Sequence, residues 1–167
     1  MWYDTEKVVR PLEHEKFMRA ALSLAREAAA DGDVPVGCVI VRDGQIIGEG
    51  RNRREENGDA TAHAELEAIR DACRRIGSWR LHRCTMYVTL EPCPMCAGGI
   101  INSRVETVRY GVRDEKAGAC GSVLNLFEER FNHHPRLYRG PLEEECRDQL
   151  QEFFLDLREK EGFSRNV

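Results

Sequence analysis

The chain has 167 residues, 41% of them hydrophobic and 32% charged, with a formal net charge of -4. That is the size and composition of one domain with a substantial core, and it excludes a chain that coats nucleic acid through overall positive charge; any nucleic-acid partner must be held by a local patch. No apolar run reaches the length of a membrane span and residues 1–11 lack the apolar stretch of a signal peptide, so the expectation is a cytoplasmic protein with no membrane partner.

Apolar residues recur at helical spacing over residues 14–30, at Phe17, Ala21, Leu24 and Ala28, and Asp31-Gly32-Asp33 ends that helix. Residues 36–41 read as a buried strand, Asp43-Gly44 as a hairpin turn, and residues 45–50 as the return strand. Residues 51–60 are polar and read as a loop. Thr61 is placed to cap a helix over residues 62–75, with Leu66, Ile69, Ala72, Cys73 and Ile76 on one face. A strand over 85–90 is broken by the prolines at 92 and 94, and a helix follows over 95–103. Another strand covers 105–110. Residues 111–122 contain Gly111, Gly118 and Gly121 and read as a loop. A short helix over 124–129, a fifth strand over 136–139 and an amphipathic helix over 142–160 complete the series. Leu150, Phe153, Phe154 and Leu157 mark the apolar side of that last helix. Strands alternating with helices predict a central sheet covered by helices, and the opening hairpin makes the sheet mixed.

The chemistry-bearing pattern is His63-Ala64-Glu65 followed by Cys93-Pro94-Met95-Cys96. One imidazole and two thiols are a zinc donor set. A structural zinc site closes its shell with four protein ligands, whereas a catalytic one uses three and keeps a position for water. His63, Cys93 and Cys96 supply three, and Glu65 is a carboxylate two residues from a ligand, suited to proton transfer. Both cysteines fall at a helix start, where unpaired N–H groups and partial positive charge favour the thiolate that binds metal. A redox pair or half of a structural zinc site is the alternative for C-x-x-C alone. The other five cysteines, Cys38, Cys73, Cys84, Cys120 and Cys146, are scattered, and the odd total of seven fits free thiols in a reducing compartment. The adjacent pair His133-His134, and His14 and His82, read as surface or packing residues, and Asp114-Glu115-Lys116 as a solvated turn. Arg51, Arg53 and Arg54 fit either a solvated loop or a phosphate-contacting patch. Of the neighbours Phe153 and Phe154, one is expected to face the core and the other outward.

H-x-E followed by P-C-x-x-C is the signature of zinc nucleobase deaminases, in which the glutamate is acid and base rather than ligand. With the blocks Val34-Pro35-Val36-Gly37, Gly48-Glu49-Gly50-Arg51-Asn52, Tyr87 to Ala97, Ser103-Arg104-Val105, Tyr110 to Ser122 and Arg130-Phe131-Asn132-His133, the chain resembles the cytidine deaminase superfamily, and within it the bacterial tRNA-specific adenosine deaminases. The resemblance runs from about Val34 to Phe154. It implies a three-layer α/β/α fold with a mixed five-stranded central sheet, one Zn2+ per subunit and a homodimer. It also implies hydrolytic conversion of adenosine to inosine at the wobble position of a tRNA anticodon stem-loop, with no DNA partner. Glu65 would be catalytic and His63, Cys93 and Cys96 the metal ligands. Asn52 would line the base pocket, with Val34, Leu90 and Glu91 as its walls and Asp114 beside the substrate strand. Residues 14–160 would form the single deaminase domain, residues 1–13 an extension of no assigned role and residues 161–167 a tail. Family members often carry a basic C-terminal helix. Here that end is mixed, with Leu155, Asp156 and Glu159-Lys160-Glu161, leaving Arg158 and Arg165 as candidate RNA contacts. Two other functions fit the zinc motif: a free-base or nucleotide deaminase such as guanine deaminase, and a non-enzymatic zinc module that binds RNA or a partner.

Overall fold

A computed structural model describes residues 11–164, with side chains described to residue 162; residues 1–10 of the N-terminal extension and residues 165–167, including Arg165, lie outside the described residues. The elements in chain order are α1 (Pro11–Ala30), β1 (Gly37–Arg42), β2 (Gln45–Arg51), α2 (Arg54–Asn57), α3 (Ala64–Ile76), β3 (Cys84–Leu90), α4 (Pro94–Ser103), β4 (Thr107–Val112), a 3-10 turn (Leu126–Glu128), β5 (Arg136–Arg139) and α5 (Glu143–Ser164). The five strands form one mixed sheet in the order β2-β1-β3-β4-β5. β1 is antiparallel to both β2 and β3, while β3, β4 and β5 run parallel.

The hairpin turns on Asp43 (φ 51°) and Gly44 (φ 77°), both left-handed, which matches the twist of the strands it joins. Successive strand residues point to opposite faces. Cys38, Ile40, Met86, Val88 and Val108 therefore pack under Ala64, Ala68 and Ala72 of α3 and Ala97 and Ile100 of α4. Val39, Val41 and Tyr87 face the other way, beneath Phe17, Met18, Ala21 and Leu22 of α1 and Cys146 of α5. The result is the expected three layers, with α3 and α4 on one face and α1 and α5 on the other.

Several boundaries differ from the sequence expectation. α1 begins at Pro11, a residue suited to the first helical position because its missing N–H has no partner there in any case. Residues 54–57 form a helical turn inside the expected loop. β4 starts at Thr107 rather than 105, because Arg104 ends α4 in a left-handed conformation and the chain needs two residues to reach the sheet. The expected short helix is the 3-10 turn, held by the Asn125 side chain accepting from Phe127 N–H. α5 extends past 160, yet its apolar side is covered only over the first turns. Phe153 is half-buried, and Phe154, Leu155 and Leu157 are 42%, 53% and 40% exposed, so packing ends before the amphipathic pattern does. A cleft of about 660 Å³ runs between α5, from Glu145 to Lys160, and α1, from Arg19 to Ala29.

Candidate metal and active site

The site forms where the N-terminal ends of α3 and α4 meet at the end of β3. His63 occupies the N-cap of α3 in extended conformation, so it precedes the helix rather than sitting in its first turn. Thr61 does not cap this helix; its backbone N–H and hydroxyl both donate to the Asp59 carboxylate. The cap comes instead from Asn52, whose Oδ1 accepts the Ala64 N–H at 3.0 Å. Cys93 is the N-cap of α4, Pro94 opens the helix, and Cys96 follows within its first turn. The ligand atoms of His63, Cys93 and Cys96 all lie within 4.8 Å of one another.

The separations fit zinc. A tetrahedral ion at ~2.3 Å from sulfur and ~2.0–2.1 Å from nitrogen needs N···S edges of about 3.5–3.6 Å. His63 Nδ1 stands 3.5 Å from Cys96 Sγ and 3.7 Å from Cys93 Sγ. Nδ1 is therefore the nitrogen that would hold the ion. The metal-free groups share protons accordingly. A hydrogen bond from Cys96, reinforced by His63, brings the Cys93 thiol down to about 4. The same bond, seen from Cys96, pushes that thiol up, and burial adds to it. His63 is raised above its ordinary value by its bond to Cys93.

Glu65 is 4% exposed, in the first turn of α3. Burial pushes its carboxyl up to about 7, against a hydrogen bond from its own backbone N–H that favours the charged form. Its contact with Cys96 places it beside the ligand cluster. A carboxyl poised near neutrality can both accept and return a proton.

Around this centre the remaining expected site residues fall in different places. Val34 and Leu90 are half-buried against the core that underlies the site. Asn52 is buried and tied to α3 as described. Glu91 is 2% exposed, and its carboxylate turns into the 113–125 loop, accepting from the backbone N–H groups of Asp114, Cys120 and Ser122 and from the Ser122 hydroxyl. Burial would raise its carboxyl, but these donors hold it below its ordinary value. Asp114 Oδ1 accepts from the N–H groups of Lys116 and Ala117 and shapes the turn.

The three arginines separate. Arg51, whose side chain is only 13% exposed, is ion-paired to Glu27, Asp31 and Glu56, and belongs to the scaffold. Arg53 and Arg54 are half-exposed, near Glu56 and Asp33 respectively, and the Arg54 charge lowers the His63 pKa, which puts it close to the ligands. His133 Nε2 and His134 Nδ1 bond the carbonyl oxygens of Val105 and Phe127, and His14 Nδ1 bonds the Tyr87 hydroxyl, all packing roles. Cys120 was not anticipated: its buried thiol feels the charges of Glu91, Glu65 and Cys93, and a lone cysteine in a glycine-rich loop carries no local signal of that.

A family model for the cytidine and deoxycytidylate deaminase zinc-binding region matches residues 11–112. The tRNA-specific adenosine deaminase of Bacillus subtilis (strain 168) is 47% identical over 154 residues, spanning 92% of this chain and 96% of that protein. A structure solved in a study of A-to-I editing by tRNA:A34 deaminases at the wobble position of transfer RNA is similar at a TM-score of 0.78 and 43% identity, over 81% of this chain and 99% of that one. The guanine deaminase of Bacillus subtilis is similar at a TM-score of 0.59 and 35% identity, over 87% of this chain and 94% of that one.

Proposed function

The chain belongs to the zinc-binding cytidine and deoxycytidylate deaminase family, and from that premise we propose that it converts adenosine to inosine at the wobble position of a tRNA anticodon, with release of ammonia. The observation that carries the reading is a three-donor cluster with a buried carboxyl against it, in a chain 47% identical to a tRNA-specific adenosine deaminase. His63 Nδ1, Cys93 Sγ and Cys96 Sγ would hold one zinc ion per chain, which would supply the Lewis acidity that brings a water proton within reach near neutral pH. Glu65 takes that proton and delivers it to N1 of the adenine as the water oxygen bonds to C6; it then takes the second proton from the new C6 hydroxyl and passes it to the amino group, so that the C6–N6 bond breaks, ammonia leaves and the C6 carbonyl forms. Asn52, its Oδ1 fixed by the Ala64 N–H, has its amide NH2 to offer an acceptor on the base. Val34 and Leu90 wall the pocket and keep bulk water from the reacting carbon. Asp114 lies on the loop assigned to the substrate strand, and Arg53 and Arg54 are the nearby cations suited to phosphate. Anticodon-loop bases are already unpaired, which lowers the cost of extruding one.

The reading entails a homodimer in the cytoplasm, checked by the solution mass and by the compartment in which the protein is found. A free-base deaminase is the second reading, favoured by the likeness to guanine deaminase. Inosine mapping in an arginine-type anticodon stem-loop, run beside guanine, cytosine, cytidine and free adenosine, separates the two. Turnover of the stem-loop with free adenosine untouched is expected; rapid turnover of free bases with the stem-loop untouched overturns the assignment.

A further inference from the structure

The Glu91 carboxylate sits two residues before Cys93 and meets no part of the His63–Cys93–Cys96 cluster in its hydrogen bonding. Oε1 accepts from Cys120 N–H at 2.9 Å and Ser122 N–H at 3.1 Å; Oε2 accepts from Asp114 N–H at 3.0 Å and from the Ser122 hydroxyl. Four donors from one loop converge on one buried anion. Gly118 closes the arrangement from the far side. A Cβ there would lie 2.4 Å from Glu91 Cδ and 2.5 Å from Oε2, so only glycine lets the loop backbone lie on the carboxylate. The loop is also tied to the site's own strand end, by the Ala119 N–H donating to Pro92 O at 2.8 Å. From this anchored base the exposed residues Arg113 and Lys116 project, Arg113 with its Nε donating to the half-buried Ser122 hydroxyl at 3.0 Å.

We propose that Glu91 is a positioning residue: its carboxylate is the template on which the 113–125 loop is folded, and that loop, not Glu91 itself, grips the RNA strand beside the reacting base. This rests on the tRNA-deaminase reading and adds to it the element that distinguishes an RNA strand from a free nucleoside. Charge-assisted hydrogen bonds to a buried carboxylate are the strong ones, and a buried donor left facing the wrong group carries the full desolvation cost. Glutamine at 91 keeps the shape but turns an NH2 toward loop donors.

The test measures KM and kcat on the anticodon stem-loop, stem-loop binding in an inactive Glu65→Ala background, and zinc content. Glu91→Gln is expected to raise KM, and to weaken binding in the inactive background, by about tenfold or more while leaving zinc content at the wild-type level and kcat within about threefold. Gly118→Ala, which pushes on the same contact from the loop side, is expected to do the same. The double variant should be clearly less than additive, because both changes break one contact. Ser122→Ala removes one donor to Glu91 together with the Arg113 Nε contact on the same hydroxyl, and should raise KM about threefold; it decides the matter if Glu91→Gln does not fold. Unchanged KM and binding in Glu91→Gln, or in Ser122→Ala where that variant must decide, overturns the inference. So does a fall in kcat or in zinc content at constant KM, either of which would place Glu91 in the chemical centre. A wild-type protein that neither binds nor turns over the stem-loop overturns the functional reading, and the inference with it.

Discussion

Glu65 combines near-complete burial with a position two residues from the candidate ligand His63, and the proposed mechanism gives it a proton to carry rather than a metal ion. Glu65→Ala is expected to retain zinc and lose about 10²- to 10⁴-fold in inosine formation, the range that positioned acid–base groups contribute. His63→Ala should instead lose zinc, read by metal analysis of the purified variant. Equal zinc in that variant and the wild type would remove His63 from the ligand set. Away from the site, His14 bonds the Tyr87 hydroxyl at 2.8 Å, and burial together with the Arg109 charge holds its pKa below the ordinary 6.5. The unfolded chain therefore takes up this proton at higher pH than the folded one. The stability tied to neutral His14 is present in full above about pH 6.5, is lost as pH falls through that value, and levels off below the folded pKa. A His14→Gln variant should show a flatter fall in Tm between about pH 7.5 and 5 than the wild type; parallel curves would mean that His14 does not titrate differently on folding.

At the scale of elements, the reach of α3 toward α4 depends on how closely α3 lies on β2. A Cβ at Gly50 would come within 2.2 Å of Ala64 O and 2.5 Å of Ala68 N, and one at Gly48 within 2.5 Å of Ala68 O. Gly50→Ala should therefore push back the helix that begins one residue after His63, costing about 1–3 kcal/mol of stability and lowering zinc affinity together with Tm. A variant with wild-type values of both would mean that the two layers have slack. These glycines were visible in the sequence, but their partners were not, since nothing local says which helix will cover a strand. The same limit explains the rest. The hairpin and the C-x-x-C helix were legible because their signals are short-range: two left-handed turn residues, and a proline in the first turn. Thr61 looked like a cap because it is a capping residue in the right place, yet the donor was satisfied by Asn52, twelve residues earlier. Glu91 is placed among the pocket walls by the family resemblance alone; the partners of its carboxylate lie 23 to 31 residues onward in a loop with no periodicity, which no local pattern announces. For α5 the apolar spacing was correct, but periodicity identifies a face without saying what covers it.

For the molecule as a whole, a metal held by the His63–Cys93–Cys96 cluster would join two segments that already meet through hydrogen bonds of His63 Nδ1 with the two thiols. His63 is the N-cap of α3, Cys93 the N-cap of α4 and Cys96 lies in its first turn, and the two helices share one face of the sheet. A ligand that binds only the folded form stabilises it by mass action, about 2.7 kcal/mol at a hundred times its Kd. Chelation should lower Tm by several degrees and zinc should restore it, with calorimetry as the measurement; an unmoved Tm would detach metal binding from the fold. The cysteines add a further consequence. Six thiols, at positions 38, 73, 84, 96, 120 and 146, are pushed above their ordinary range, chiefly by burial except at Cys96, while Cys93 alone is drawn down; of the two half-exposed thiols, Cys73 and Cys93, only Cys93 favours the thiolate. An alkylating dye should thus find one fast-reacting sulfur per apoprotein and almost none once zinc is bound. The dye's labelling stoichiometry then becomes a gauge of how many molecules in a preparation are loaded, readable without any assay of turnover.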